Sequence, residues 1–390
     1  MQKKEKAGRT VLMVSHYFSG HGGGIEQVAG RLAHEISACS DCRFIWAASD
    51  VDRRDERSPV KFLPMRAFNA LESMIGVPWP VWGPRSLKML RGAVSAVDAV
   101  WLHDTLYPGN MLAFLWARRM RKPVVITQHI GPVPYRNLLL RNAMALADRL
   151  ISIPMLKAAE QTVFISDRVA EDYYARASFK RPVKVIPNGV DHRVFHLPPR
   201  EKRRYLREQF SLKGSQPVLL FVGRFVEKKG LGVIRKLASM MPEIRFWLAG
   251  KGPIDPARWM LPNVHVFRDR SGPSLAELYQ AADLLILPSY GEGFPLVIQE
   301  AMSCGLPVMC SSRTAAGSFA AKPLINIAEV WPEDASKTAS EWLRKLKDIS
   351  SFLPLKEGRA ELSDFAQNNW DWKAIANVYA RIFDGLLYSR

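Results

Sequence analysis

"ADLLILPSYGEGFPLVIQEAMSCGLPV", residues 282–308, decides the fold. Its opening run, Leu284–Leu287, is apolar, of strand length, and bounded by Asp283 and Pro288. After Pro295, the residues Leu296, Val297, Ala301 and Met302 recur at helical spacing until Gly305 and Pro307 stop the helix. Another apolar run then starts at Leu306. Strand, glycine-flanked loop, helix and strand in close succession make one unit of a parallel sheet. Glu292 falls in the loop and Glu300 near the middle of the helix.

The same alternation extends in both directions. Upstream lie "TVLMVS" (10–15), "RFIWAAS" (43–49), "DAVWLH" (98–103), "PVVITQH" (123–129), "QTVFIS" (161–166) and "VKVIP" (183–187). Nearer the quoted segment are "PVLLFVG" (217–223), "IRFWLAG" (244–250) and "VHVF" (264–267), with "LPVMCS" (306–311) at its end. Strands apolar on both faces and separated by helical stretches imply parallel sheets covered on both sides. Two series imply an α/β chain of two doubly wound, Rossmann-like domains facing each other across a cleft. The charged, proline-containing stretch 191–216 is the natural junction.

With 390 residues and 48% hydrophobic content, the chain can build two full cores. No apolar run approaches a membrane span. The basic start, "MQKKEKAGRTVLMVS", has too short an apolar stretch for a signal peptide and reads as a basic tail before a first strand. Four cysteines make no disulfide framework, and Cys39 and Cys42 form a lone CxxC read as idle thiols rather than a metal or redox pair. A reducing compartment, the cytosol, is expected. The net charge is +18, and residues 1–200 hold 29 Lys and Arg against 17 Asp and Glu. Nucleic acid, an anionic membrane surface or phosphorylated substrates could each answer that surplus. "WARRMRK" (116–122) and "MIGVPWPVWGPRSLKMLRGAV" (74–94) mix tryptophan with basic residues, which suits anionic headgroups and equally suits a solvated face over core aromatics. Nucleic-acid modules are missing, so no nucleic acid is expected.

In open parallel sheets, ligands bind beyond the carboxyl ends of strands. The residues there are "SGHGGGIEQ", His103-Asp104, His129, Ser166, Asn188-Gly189, "GRFVEKKG", "GKGP" and "SYGEGFP". Arg224 and Lys229 sit in a strand-to-helix loop, where two cations and helix N–H groups make a receptor for a diphosphate. On its own that loop would read as an exposed basic turn. Gly250 and Gly252 form a second turn where a ligand can approach the backbone. The helix after Pro295 adds N–H donors, Glu300 can accept from ribose hydroxyls, and Glu292 can meet a polyhydroxyl group beyond the phosphates. The two carboxylates then bracket a nucleotide-sugar.

The chain resembles the family 4 retaining glycosyltransferases of the two-domain GT-B fold. The matching stretches are "GGGIEQVAGRLAHEI", "IPNGVDHRVF", "VGRFVEKKG", "AGKGP", Glu292 and Glu300 within "PSYGEGFPLVIQEAMSCGLPV", and "NWDWKAIANVYARIF" (369–383). The resemblance implies an acceptor-side domain (1–190), a nucleotide-sugar domain (191–368) and a C-terminal helix (369–390) that crosses back to the first domain. It implies that Arg224 and Lys229 neutralise the departing diphosphate and that Glu300 holds the ribose. Glu292 and His129 would contact the donor sugar, and Gly23 and Gly24 let the first loop approach the donor phosphate or the acceptor. Gly293, Phe294, Pro295 and Leu296 belong to the donor-binding loop. Taken alone, His103 and His129 would read as structural histidines; the resemblance raises His129 only.

The expected activity is transfer of a sugar from a nucleotide diphosphate to a saccharide or lipid-linked acceptor, in cell-surface polysaccharide or glycolipid synthesis, with retention. Same-face attack is preferred over a Glu292 nucleophile. No cofactor or metal is expected, since Arg224 and Lys229 can take the place of a divalent ion. The expected place is the cytoplasm, with peripheral contact on the inner membrane face. Where the family shows a Gly-Gly turn and an acid after "GLPVMCSS", this chain has "RTAAGSFAAKPLINIAEVWPED", so the donor's base and sugar do not carry over. Two other readings are a silent nucleotide-sugar-binding protein and a dinucleotide-dependent oxidoreductase using "GHGGGIEQ", whose spacing departs from GxGxxG at Ile25.

Overall fold

The computed structural model describes residues 9–21, 23–51, 59–68, 80–131, 138–212, 216–349 and 356–388. The basic tail, Gly22 and residues 74–79 of the tryptophan-rich stretch lie outside the described residues. The chain divides into two compact units, one holding the residues up to Asn188 and those from Trp372 onward, the other Gly189–Asp371.

The first unit contains β1 (Arg9–Val14), α1 (Gly24–Cys39), β2 (Cys42–Ser49), β3 (Lys61–Met65), β4 (Ala67–Phe68), β5 (Val81–Trp82), α2 (Pro84–Ala96) and β6 (Ala99–His103). It continues with α3 (Pro108–Arg119), β7 (Val124–Gln128), α4 (Leu138–Ala147), α5 (Ile153–Ala158), β8 (Gln161–Phe164), α6 (Asp167–Tyr174) and β9 (Lys184–Val185). The second unit contains α7 (Arg200–Gln209), β10 (Val218–Val222), α8 (Leu231–Met240), β11 (Arg245–Ala249), β12 (Val264–Phe267), α9 (Gly272–Ala281), β13 (Leu284–Leu287) and α10 (Leu296–Ser303). It ends with β14 (Val308–Cys310), α11 (Ser312–Ala315), β15 (Asn326–Ile327), α12 (Ala335–Ile349) and α13 (Lys356–Asn369). The last helix, α14 (Trp372–Tyr388), belongs to the first unit.

The first sheet runs β3-β2-β1-β6-β7-β8-β9 and the second β12-β11-β10-β13-β14-β15, every neighbouring pair parallel. The central strands β6, β7, β10 and β13 are buried at every position, as strands covered on both faces must be. In each sheet the chain winds outward from one central strand and then crosses back to that strand's other side. The reversal falls between β1 and β6 in the first unit and between β10 and β13 in the second. Beyond the carboxyl ends of those strands lies the crevice where such sheets take ligands.

One face of the first sheet is covered by α2, α3, α5 and α6, whose Leu90, Phe114, Leu156 and Tyr173 join Leu12, Val100 and Ile126 in a single core. On the other side α14 packs on α1. Trp101 Nε1 donates to Thr127 Oγ1 (2.9 Å), which lies 3.2 Å from the Tyr379 hydroxyl. Phe383 meets the Trp101 ring edge-on, and Arg9 pairs with Asp384. In the second unit Trp247, Tyr279, Trp342 and Trp370 are fully buried.

Two stretches depart from the sequence-based expectation. Edge strand β3 carries Pro64, tolerable there because an edge strand has a side without a partner. Within the expected junction, residues 200–209 form α7, which is anchored to the second unit. Arg203 and Arg207, one turn apart, both reach Asp283 (2.6 and 3.0 Å), whose Oδ2 also accepts from Val218 N (2.9 Å). The basic run is therefore a docking face at the foot of β10 and β13.

Candidate functional site

At the end of β10 the chain turns through Gly223 and Arg224 into a short 3-10 turn, Glu227–Lys229, and then α8. The Lys229 ammonium lies 3.0 Å from Glu292 Oε1, with the two side chains only 16% and 13% exposed. The β10 loop and the β13 loop thus meet through an ion pair, reinforced where Tyr290 N donates to Lys228 O (3.0 Å). Arg224 is exposed on the same loop. Lys228, which the sequence reading passed over, lies within electrostatic reach of Glu292, Lys229 and Arg224. Arg224, Lys228 and Lys229 against Glu227 and Glu292 still leave a positive surplus, as an anionic ligand requires.

Glu300 sits on α10 as expected, and Tyr279 from α9 donates to its Oε2 (2.8 Å). Burial lifts its pKa to about 7, with the Tyr279 hydrogen bond acting in the opposite direction. Pro295 begins α10 without a side-chain cap, so Leu296 opens a helix whose first N–H groups have no side-chain acceptor. Gly293 lies in the loop before it. Phe294 points inward, 4% exposed, with its ring 5.6 Å from that of Trp370; its side chain fixes the loop to the core. Ser311 Oγ reaches Ser289 O (3.4 Å), so the divergent stretch after β14 begins against the Glu292 loop.

Gly250 has φ +150°, and a Cβ there would lie 2.0 Å from Gly223 O. The turn at 250–252 is pressed onto the β10 loop, with Gly223 N bonded to Ala249 O (3.0 Å) and Phe225 N to Lys251 O (2.9 Å). Protein backbone therefore accounts for this glycine. Gly250 and Gly252 shape the loop that carries Arg224.

A second polar cluster stands at the β1–β6 reversal in the first unit. His16, just past β1, places Nε2 2.9 Å from Glu26 Oε1 in the first turn of α1, and its ring stacks on Tyr107 at 3.9 Å. Burial pushes Glu26 up, but the His16 hydrogen bond and charge outweigh it, and its pKa falls below the usual carboxylate value. Gly23 leaves the room this needs: a Cβ there would lie 2.2 Å from Glu26 Oε2. Gly24 opens α1 with open space around it. Glu26 puts a carboxylate in the first turn of α1, where a pyrophosphate-binding helix would present N–H donors free of negative charge, which counts against the oxidoreductase reading.

His129 is not isolated. Its Nε2 lies 2.9 Å from His103 Nδ1, and its backbone N–H donates to Asp104 Oδ1 (2.7 Å). Burial holds both rings neutral, with His129 lowered to about 3 and His103 well below its ordinary value. Asp104, with φ 65°, has its pKa raised by burial to about 7. Asn110 Nδ2 ties down the carbonyls of His103 and Asp104 (2.7 and 2.8 Å). His16 Nδ1, His103 Nε2, Asp104 Oδ2 and Asn110 Oδ1 are buried with no partner among the described residues, so the cluster retains hydrogen-bonding capacity for a polar ligand or water. His16 and Tyr279 were not singled out in the sequence, whereas Asp104 and Glu26 stood there only as strand-end positions, Glu26 within "SGHGGGIEQ". The signal for His16 was position alone, just after a strand; Tyr279, in the last turn of α9, gave none.

Among the described residues, no group of metal-ligating side chains gathers and no helix is long and apolar enough to cross a membrane. The four cysteines are free, with Cys39 exposed and Cys42, Cys304 and Cys310 buried.

Residues 22–194 match the family model described as Glycosyltransferase Family 4, and residues 216–348 that of Glycosyl transferases group 1. An alpha-galactosylglucosyldiacylglycerol synthase of Streptococcus pneumoniae is 31% identical over 38% of this chain and 43% of its own. A D-inositol 3-phosphate glycosyltransferase of Mycolicibacterium smegmatis is 27% identical over 69% of this chain and 64% of its own. The chain thus spans less than two thirds of either relative. Among solved structures, the sucrose-phosphate synthase of Thermosynechococcus elongatus superposes with a TM-score of 0.74 at 21% identity, covering 98% of this chain and 100% of that one. That likeness is one of fold.

Proposed function

Because the chain belongs to glycosyltransferase family 4, with the GT-B fold, we propose that it moves a sugar from a nucleotide-diphosphate donor to a saccharide or lipid-linked acceptor with retention at the anomeric carbon. The observation that carries this reading is the Lys229–Glu292 pair at 3.0 Å, joining the two strand-end loops beside Arg224. A departing diphosphate needs positive charge fixed in advance, and Arg224 and Lys229 offer it. Glu292, held by Lys229, recognises donor-sugar hydroxyls. Glu300, with Oε2 engaged by Tyr279, accepts from the ribose, and the uncapped start of α10 adds N–H donors to the phosphates.

As the bond between anomeric carbon and phosphate oxygen breaks, the pair of electrons leaves with the diphosphate. The acceptor oxygen attacks from the same face and passes its proton to the leaving phosphate. The two guanidinium and ammonium charges do the work a divalent ion does elsewhere. In the first unit, the neutral His129 and the polar cluster behind it offer hydrogen-bonding groups to a substrate's hydroxyls. The relatives' names support glycolipid or polyol acceptors, and the free cysteines suit a reducing cytosolic side.

A thermal-shift screen against UDP-, GDP- and ADP-sugars tests the donor class, since a ligand bound only to the native state raises the melting temperature. Stabilisation by one donor series, with sugar transfer or slow donor hydrolysis, is expected. Binding without turnover on any acceptor would identify a silent binder. No stabilisation by any donor would end the proposal.

A further inference from the structure

Helix α4 and the π-type turn after it, Asp148–Ser152, are rich in leucine, and several of those leucines are exposed in the fold. Residues 138–151 read LLLRNAMALADRLI, yet Leu139, Leu146 and Leu150 are 82%, 56% and 64% exposed. Positions i, i+7 and i+11 line one side of a helix, so the three leucines form a stripe. The next helix, α5, behaves in the ordinary way, with Met155 and Leu156 buried. Leucines bare in a row mark an interaction surface, whereas single scattered ones do not.

Charge selects the occupant. Asp148 is the one acid in residues 138–157; it is buried, 2.9 Å from the Tyr173 hydroxyl, and paired with Arg176. Arg141 and Arg149 are exposed. A second copy packing by a two-fold axis would set this cationic surface against its own image. An anionic bilayer takes the leucines at its acyl boundary and Arg149, about a quarter-turn from the stripe, among its headgroups; Arg141, two positions after Leu139, lies on the far side and adds only to the general positive field. We propose that this helix seats the protein on an anionic lipid surface. The seat deepens the lipid-side part of the proposed function and rests on it. It places the membrane at the helix that follows His129 along the chain. The stretches suggested by tryptophan content fit less well: Trp82 is buried, its Nε1 donating to Ser49 Oγ (2.9 Å), and Arg118 is paired with Glu160.

The test is flotation of the full chain with phosphatidylcholine vesicles, with and without phosphatidylglycerol, for the wild type, L139Q/L146Q/L150Q and R141A/R149A. The wild type should float with the anionic vesicles only and detach as salt rises. The triple variant should bind at least tenfold more weakly with an unchanged melting temperature, and loss of Arg149 should give R141A/R149A a weakening of about fivefold. Wild-type binding by the triple variant overturns the proposal, as does a wild type that never floats. So does a wild-type dimer that the triple variant splits into monomers. Donor binding, read separately by thermal shift, keeps the two proposals apart: vesicle binding without it refutes the function and leaves the seat standing.

Discussion

The Tyr279 hydroxyl donates to Glu300 Oε2 over 2.8 Å, so a side chain from α9 aims the carboxylate on α10. Tyr279→Phe deletes that donor and leaves the ring in place. A neutral hydrogen bond contributes about 1 kcal/mol, and a donor affinity roughly fivefold weaker is expected by titration calorimetry. An unchanged affinity would mean that the hydroxyl does not orient Glu300.

The pKa of Glu300, about 7 against an ordinary 4.5, sets a pH dependence. Between those values the folded protein holds a proton that the unfolded chain has already released. Stability from this group is therefore full below 4.5 and is lost as pH rises through 7. Glu300→Gln cannot titrate. Its melting temperature relative to wild type should climb from pH 5 to pH 8 while donor affinity drops at both. Taking the difference cancels Asp104, which shifts the same way. A difference that stays flat with pH would count against a buried, protonated Glu300.

Lys229 and Glu292 are each other's partner across 3.0 Å with little exposure. Lys229→Ala removes the cation proposed to meet the diphosphate and strands the Glu292 charge, and kcat should fall ~10²–10³-fold. Because the residues share one interaction, Lys229→Ala/Glu292→Gln should cost less than the sum of the single changes, by roughly 1–3 kcal/mol in a double-mutant cycle. Strict additivity would show that the pair does not act as a unit.

Asp104 combines a left-handed backbone, φ 65°, with a carboxylate that accepts from His129 N at 2.7 Å. Asparagine tolerates that conformation and keeps an acceptor; alanine does neither. Asp104→Asn should lose under about 1 kcal/mol in urea unfolding, and Asp104→Ala about 2–4 kcal/mol. Equal losses would indicate that neither feature matters there.

The parallel sheets were legible because strands such as "VLLFV" and "LLIL" are buried on both faces and carry that in composition alone. Edge strand β3 was not, since one row of its neighbours is missing and Pro64 interrupts the pattern. Glu292 and Glu300 could be placed because loop and helix spacing are local. The His103–His129 contact could not. It depends on β6 lying beside β7 in the register that opposes His103 to Thr127, bringing residue 129 just beyond. The same holds for Tyr279, which reaches Glu300 only once α9 and α10 have packed, and for α7, whose arginines lay in a stretch read as a junction and meet Asp283 only in the fold.

Helix α14 belongs to the first unit although it follows the whole of the second unit in the sequence. On the ribosome, Phe44, Trp101 and Thr127 must wait for Tyr379 and Phe383 until all of Gly189–Asp371 has been translated. At ordinary elongation rates that delay is on the order of 10–40 s. During it a nascent half-molecule displays an uncovered aromatic face, a natural client for chaperones. The first unit is in this sense closed only after the second has been made.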